Sequence, residues 1–229
     1  MSDGKRAAGE RAAGYVESGM TLGLGTGSTV EHFLRRLGER VRDEGLRVRG
    51  VPTSRATESS AARHGIPLAS LEEVSELDLT VDGADEIDAS FRMIKGGGGA
   101  LLREKVVASI SRFEVIVVGE GKTVERLGRT FPLPVEVVPF ALPVVLRSLA
   151  KLGDPGVRAK DGVPYRTDNG NAVVDVRFDG GIEDPGALDA ALRRIPGVVE
   201  TGLFLGLAHR LVIGRDDGSV ETREGPGRC

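Results

Sequence analysis

The sequence has 229 residues, 40% of them hydrophobic but only 4% aromatic and none Trp, enough to bury a core of Val, Leu, Ile and Ala in a domain or a domain and a half. Its formal charge is −3, from 31 basic and 34 acidic residues scattered along the chain, and no basic stripe with interleaved aromatics suggests a nucleic-acid partner. The one Cys, Cys229, is terminal, which excludes an intrachain disulfide and a Cys-based metal site, and no run approaches the roughly 18 apolar residues of a membrane span.

Residues 1–14 are polar and Ala-rich without an apolar segment, so no secretory signal is expected and the expected location is cytoplasmic. Residues 3–18 read as a helix. Met20 to Leu24 reads as a short strand that runs into Gly25-Thr26-Gly27-Ser28-Thr29, and Val30, Phe33, Leu34, Leu37 and Val41 then keep helical spacing. The pattern recurs: strand at 48–51, helix at 54–64, strand at 77–81 ending in Asp82-Gly83-Ala84-Asp85. A helix opened by Gly96 to Gly99 then runs to Ile110, before a buried strand at 115–118. Alternation of this kind predicts an α/β fold with a doubly wound, mostly parallel, Rossmann-like sheet, with ligands beyond the carboxyl ends of its strands. The character changes at Phe131-Pro132-Leu133-Pro134. Beyond it the reading is strand 135–138, helix 140–151, strands 157–160 and 172–178, helix 185–194 and strand 198–205. That order is the ferredoxin-like β-α-β-β-α-β arrangement. The expected division is a catalytic α/β domain of 1–130 plus 207–229 and a smaller ferredoxin-like α+β lobe of 131–206.

Three loops carry candidate chemistry. The first, Gly25 to Thr29, offers backbone N–H groups and hydroxyls at a helix N-terminus, which suits a phosphate; a plain turn with Ser28 or Thr29 as N-cap is the alternative. A dinucleotide fingerprint lacks its third Gly at Ser28, and no Gly-Lys-Ser/Thr follows for a Walker A loop. The second, Asp82 to Asp88, puts four carboxylates into seven residues. It is either an acidic solvated turn or a set of acceptors for sugar hydroxyls. His32, His64 and His209 are isolated from it and from one another, so no metal is expected. The third, Lys95-Gly96-Gly97-Gly98-Gly99, costs too much backbone entropy to stand without cause, and lets N–H groups close on a ligand oxygen beside a lysine. Glu104 follows in a helix and Lys122 after the next strand; taken singly, each reads as a surface residue.

Taken in order, these segments resemble ribose-5-phosphate isomerase, type A: Gly-Thr-Gly-Ser-Thr at 25–29, Val-Asp-Gly-Ala-Asp-Glu-Ile at 81–87, Lys-Gly-Gly-Gly at 95–98 and Arg-Glu-Lys at 103–105. The likeness continues through 127–128, 131–137, 167–171 and 195–199 and so covers nearly the whole chain. The resemblance implies a metal-free, cofactor-free aldose–ketose isomerase of the pentose phosphate pathway, acting through an enediol(ate). It implies Glu104 as general base, and Asp82, Asp85 and Lys95 as the groups that handle ring opening and the O1 and O2 protons and charge. It implies substrate binding by Thr26, Gly27, Ser28 and Thr29, by Asp82, Gly83, Ala84 and Asp85, by Lys95, Gly96, Gly97 and Gly98, and by Lys122. A homodimer or homotetramer is the family expectation. Gly99 and Leu102 depart from the Ala and Thr expected in many members. A sugar-phosphate sensor would carry a DNA-binding extension for which the roughly twenty residues before the first strand leave no room, and Ser28 disfavours a nicotinamide-dependent dehydrogenase.

Overall fold

A computed structural model describes residues 3–226, so Cys229 lies outside the described residues. In chain order the elements are α1 (Asp3–Ala13), β1 (Thr21–Leu24), α2 (Ser28–Asp43), β2 (Arg49–Pro52), α3 (Arg55–Arg63), β3 (Leu79–Asp82), β4 (Glu86–Ile87), β5 (Met93–Ile94), α4 (Leu101–Ser109) and β6 (Glu114–Gly119). They continue with β7 (Leu133–Val137), α5 (Leu142–Leu149), β8 (Asp154–Val157), β9 (Ala159–Lys160), β10 (Val163–Pro164), β11 (Ala172–Arg177), α6 (Pro185–Arg193), β12 (Val198–Thr201), β13 (Leu203–Phe204), β14 (Arg210–Gly214) and β15 (Val220–Glu224).

The chain divides into two compact units, crossing from one to the other after Ala84, Leu102, Lys122 and Leu205. The first unit is built on a six-stranded sheet of order β15-β14-β6-β3-β1-β2, parallel except for the edge strand β15. Alternation along β1 assigns its faces. Leu22 and Leu24 join Ala8, Ala12, Phe33, Leu37 and Ala61 in one cluster, while Val51, Leu77 and Val107 form a second. Full burial of a side chain such as Phe33 is worth about 1.5–3 kcal/mol. The amphipathic α2 supplies much of the first cluster, because Val30, Phe33, Leu34 and Leu37 fall on one stripe. The doubly wound, mostly parallel sheet is therefore present, and the tail adds β14 and β15 to it.

The second unit holds an antiparallel sheet of order β12-β7-β11-β8, the ferredoxin-like order, with α5 and α6 supplying the apolar residues that cover Val135, Val137, Val174 and Val176. It is larger than the expected 131–206. It takes in 85–102, because β4 and β5 pair with each other and β5 pairs with β13, and it takes in 123–130 as well. Several expected bounds also shift. The first helix ends at Ala13 rather than at 18, the helix after the glycines begins at Leu101, and the strand expected at 157–160 is divided between β8 and β9. Arg158 interrupts that strand, bonding its N–H to Val173 and its C=O to Tyr165 in the hairpin that follows.

Candidate functional site

In the first unit the Gly25–Thr29 loop leads from β1 into α2. Neither Ser28 nor Thr29 is the N-cap: Gly27 holds that position at φ 135°, a conformation only glycine adopts cheaply, and no side chain caps the helix. A 16-residue helix whose first N–H groups lack a side-chain cap favours an anion there. Ser28 is exposed, and its Oγ accepts a hydrogen bond from Lys5 Nζ at 3.1 Å. Lys5 is the functional candidate that sequence reading missed. It lies 23 positions away on α1 and belongs to no motif; only the fold brings its charge to this helix end.

The hydroxyl of Thr26 points elsewhere. It donates to Ser54 Oγ at 2.9 Å and lies 2.8 Å from Thr53 Oγ1 and 3.0 Å from Thr57 Oγ1, so its side chain anchors the loop to the start of α3. A cavity of about 360 Å³ borders the loop on that flank, with Glu31, Ser60 and Arg63 in its wall. Burial pulls the Glu31 carboxyl up, but hydrogen bonds from Ser60 and His64 outweigh it and hold the group below its ordinary range. An anionic Glu31 opposes a phosphate beside it, whereas the Lys5 ammonium at Ser28 favours one there.

Asp82 ends β3 and is fully buried; its Oδ1 accepts from Thr26 N at 2.9 Å and from Gly83 N at 2.7 Å. Glu104 stands in the first turn of α4 and is only 5% exposed, so its reading as a surface helix residue is excluded. Carboxylates are almost never buried without a structural or chemical task. Lys122 is half-buried in the turn after β6.

The second unit holds Asp85, Lys95 and the glycines. Lys95 is 2% exposed, its N–H donates to Gly202 O at 2.9 Å, and its Nζ lies 5.3 Å from the centre of the Phe204 ring. Asp85 Oδ2 accepts from Gly97 N at 2.7 Å, which ties the carboxylate to the glycine loop. Gly97 and Gly98 are exposed. Two of the four carboxylates in 82–88 have other tasks. Glu86, fully buried, accepts from Gly128 N, Thr130 N, Thr130 Oγ1 and Phe131 N. Asp88 accepts from Ser90 N, Arg92 N and Arg92 Nε, closing its own turn. Among the described residues no cluster of His, Cys, Asp and Glu is arranged to hold a metal ion.

The family described as ribose 5-phosphate isomerase A (phosphoriboisomerase A) matches residues 49–218. The ribose-5-phosphate isomerase A of Parvibaculum lavamentivorans is 50% identical over 95% of this chain and 96% of its own length. That of Methylorubrum extorquens is 52% identical over 99% and 98%. Among solved structures, ribose 5-phosphate isomerase from Plasmodium falciparum superposes with TM-score 0.95 at 37% identity, covering 99% of this chain and all (100%) of that one. A D-ribose-5-phosphate isomerase in complex with phospho-erythronic acid superposes with TM-score 0.92 at 37% identity, covering 96% and 97%.

Proposed function

Because the chain belongs to the ribose 5-phosphate isomerase A family, we propose that it interconverts D-ribose 5-phosphate and D-ribulose 5-phosphate through an enediol(ate), with Glu104 as the base. The observation that carries this reading is the burial of Glu104: a carboxylate 5% exposed in a helical first turn is shielded from bulk water, as a proton carrier requires. Glu104 takes the C2 proton of the open-chain aldose, the bond pair forms the C1–C2 double bond, and O1 gains charge. Glu104 then gives a proton to C1, O2 gives up its proton as the C2=O2 bond forms, and O1 takes up a proton, which gives the ketose. Lys95 and the N–H groups of the glycine loop stabilise the charged oxygen, and Asp82 and Asp85 exchange protons with the sugar hydroxyls during ring opening and enolisation. The first turn of α2, with Ser28, Thr29 and Lys5, holds the phosphate, and Lys122 adds positive charge. Fixing the phosphate restrains a flexible open-chain substrate in a reactive pose.

The assigned chemistry uses no metal and no cofactor. No helix among the described residues is long and apolar enough to cross a membrane. A cytoplasmic homodimer or homotetramer completes the proposal on the family's precedent, and sedimentation tests the assembly. The deciding experiment incubates purified, chelator-treated protein with ribose 5-phosphate and follows ribulose 5-phosphate. Equilibration without additives is expected. A protein that leaves ribose 5-phosphate unchanged overturns the activity, and activity restored only by a divalent ion overturns the metal-free mechanism.

A further inference from the structure

Four consecutive glycines carry no side chains to restrain them, so whatever fixes their peptide planes must come from outside the loop. In the second unit that restraint arrives from one direction. Arg158, between β8 and β9, donates from Nη1 to Gly96 O at 2.8 Å and to Gly97 O at 3.1 Å. Its other edge pairs with Asp175 on β11, Nε to Oδ2 at 2.8 Å and Nη2 to Oδ1, leaving the guanidinium side chain 14% exposed. Tyr165 Oη donates to the next carbonyl, Gly98 O, at 3.1 Å, and Arg158 Cζ lies 5.8 Å from the centre of the Tyr165 ring. Three successive carbonyls are thereby held.

In a planar trans peptide the C=O and the following N–H point in opposite directions. Holding Gly96 O turns the Gly97 N–H away from Arg158, where Asp85 Oδ2 receives it at 2.7 Å. Holding Gly97 O turns the Gly98 N–H the same way. Gly99 fits the same arrangement, because a Cβ there would stand 2.3 Å from Tyr165 Oη, at a φ of 76°. The departure from Ala at this position thus makes room for Tyr165.

We infer that Arg158, braced by Asp175 and Tyr165, is a positioning residue that holds the Gly97 N–H on Asp85 and sets the direction of the Gly98 N–H toward the charged oxygen of the intermediate. The inference rests on the reading above, in which the glycine loop stabilises that oxygen. Only a planar fork bonds a carboxylate along one edge and two carbonyls with a remaining N–H; a lysine ammonium does not reproduce that span.

The test compares wild type with Arg158→Lys, Asp175→Asn and Tyr165→Phe. It measures kcat and KM on ribose 5-phosphate, thermal midpoint, and amide hydrogen exchange of residues 96–99. Arg158→Lys is expected to lower kcat by about 10- to 100-fold while KM stays within about threefold, as for donors misdirected in the transition state. Exchange in 96–99 rises in that variant while exchange in β6 does not. Tyr165→Phe lowers kcat by about threefold, and the two substitutions combine less than multiplicatively because they hold one loop. Near-normal kcat in Arg158→Lys, or a loss that merely follows a falling thermal midpoint, overturns the inference. If Arg158→Lys does not fold, unchanged kcat in both other variants overturns it. If wild type itself does not isomerise the sugar, the isomerase reading fails separately, and unchanged loop exchange in Arg158→Lys then decides against the clamp.

Discussion

The N–H of Thr26 donates to Asp82 Oδ1 at 2.9 Å, so the carboxyl group that ends β3 also holds the loop that leads into α2. Asp82 therefore has two separable properties, its acceptor geometry and its charge. Asp82→Asn keeps an oxygen for the N–H groups of Thr26 and Gly83, whereas Asp82→Ala keeps neither. Both variants are expected to lose kcat, but only Asp82→Ala should raise KM for ribose 5-phosphate, by about tenfold, the worth of one or two charge-assisted hydrogen bonds. Steady-state kinetics on the pair checks this, and equal KM values would separate Asp82 from the loop.

Glu104→Gln preserves shape and removes the proposed base. The expected loss is about 10²- to 10⁴-fold in kcat with little change in KM. In deuterated water, wild type washes solvent label into the sugar at carbon and the variant suppresses exchange and isomerisation together. Turnover and exchange near wild-type levels would move the base to another carboxylate, Asp82 or Asp85.

Lys5 reaches Ser28 at 3.1 Å, and its charge is the part of the proposed phosphate site that lies on α1. Lys5→Met retains an apolar stem and should raise KM for ribose 5-phosphate about 10- to 100-fold, the range of a lost hydrogen bond to a charged group. Inhibition by inorganic phosphate should weaken in parallel. Unaltered phosphate inhibition would place the dianion elsewhere.

Glu86 serves stability. Its carboxylate gathers three N–H groups and one hydroxyl from residues 128–131. Glu86→Ala removes the acceptor shared by one buried and three part-buried donors and should cost about 3–5 kcal/mol, measured by urea denaturation. A cost below about 1 kcal/mol would show that water substitutes for the carboxylate.

Burial is the largest influence on the Tyr165 hydroxyl and raises it above the ordinary phenol value, with the Arg158 guanidinium opposing. A folded-state value above the unfolded one means that this contribution to stability is complete below the unfolded value, about pH 10, and is lost as pH rises through the folded value. The stability gap between wild type and Tyr165→Phe should stay constant from about pH 6 to 9 and narrow above about pH 10. A gap that narrows in the neutral range would assign the effect to another group.

Elements with strong periodicity were readable in the sequence: β1, α2 and β6 lie within two residues of their expected bounds. The two-residue strands β4, β5, β9, β10 and β13 are too short to show any period, and 85–102 was therefore expected in the wrong unit. The loops announced themselves through glycine and carboxylate density, but density does not say which way a side chain turns. Glu86 and Asp88 look like Asp82 and Asp85 in sequence, yet Glu86 binds residues 128–131 and Asp88 its own turn, whereas Asp82 binds the 25–29 loop and Asp85 the glycine loop. For Glu104 a signal was available. Leu101, Glu104 and Ala108 share one helical face, and an acid on a face otherwise buried is a stronger indication than its charged neighbours Arg103 and Lys105 suggest. Lys5 and Arg158 had no such signal, since their partners are 23 and 61 or 62 positions away.

The interleaving of the two units fixes an order of completion during synthesis. Every strand of the second unit precedes Gly206, but β6 acquires its parallel neighbour β14 only when Arg210 to Gly214 have been made, and β15 comes after that. On the ribosome the first unit is begun first and finished last. Until Arg210 to Gly214 emerge, the apolar strand Val115-Ile116-Val117-Val118 presents an open edge of the kind that recruits other strands. The β14–β15 hairpin is in this sense the closure of the six-stranded sheet, and a nascent chain halted before it would be an aggregation hazard even though every proposed active-site residue had already been translated.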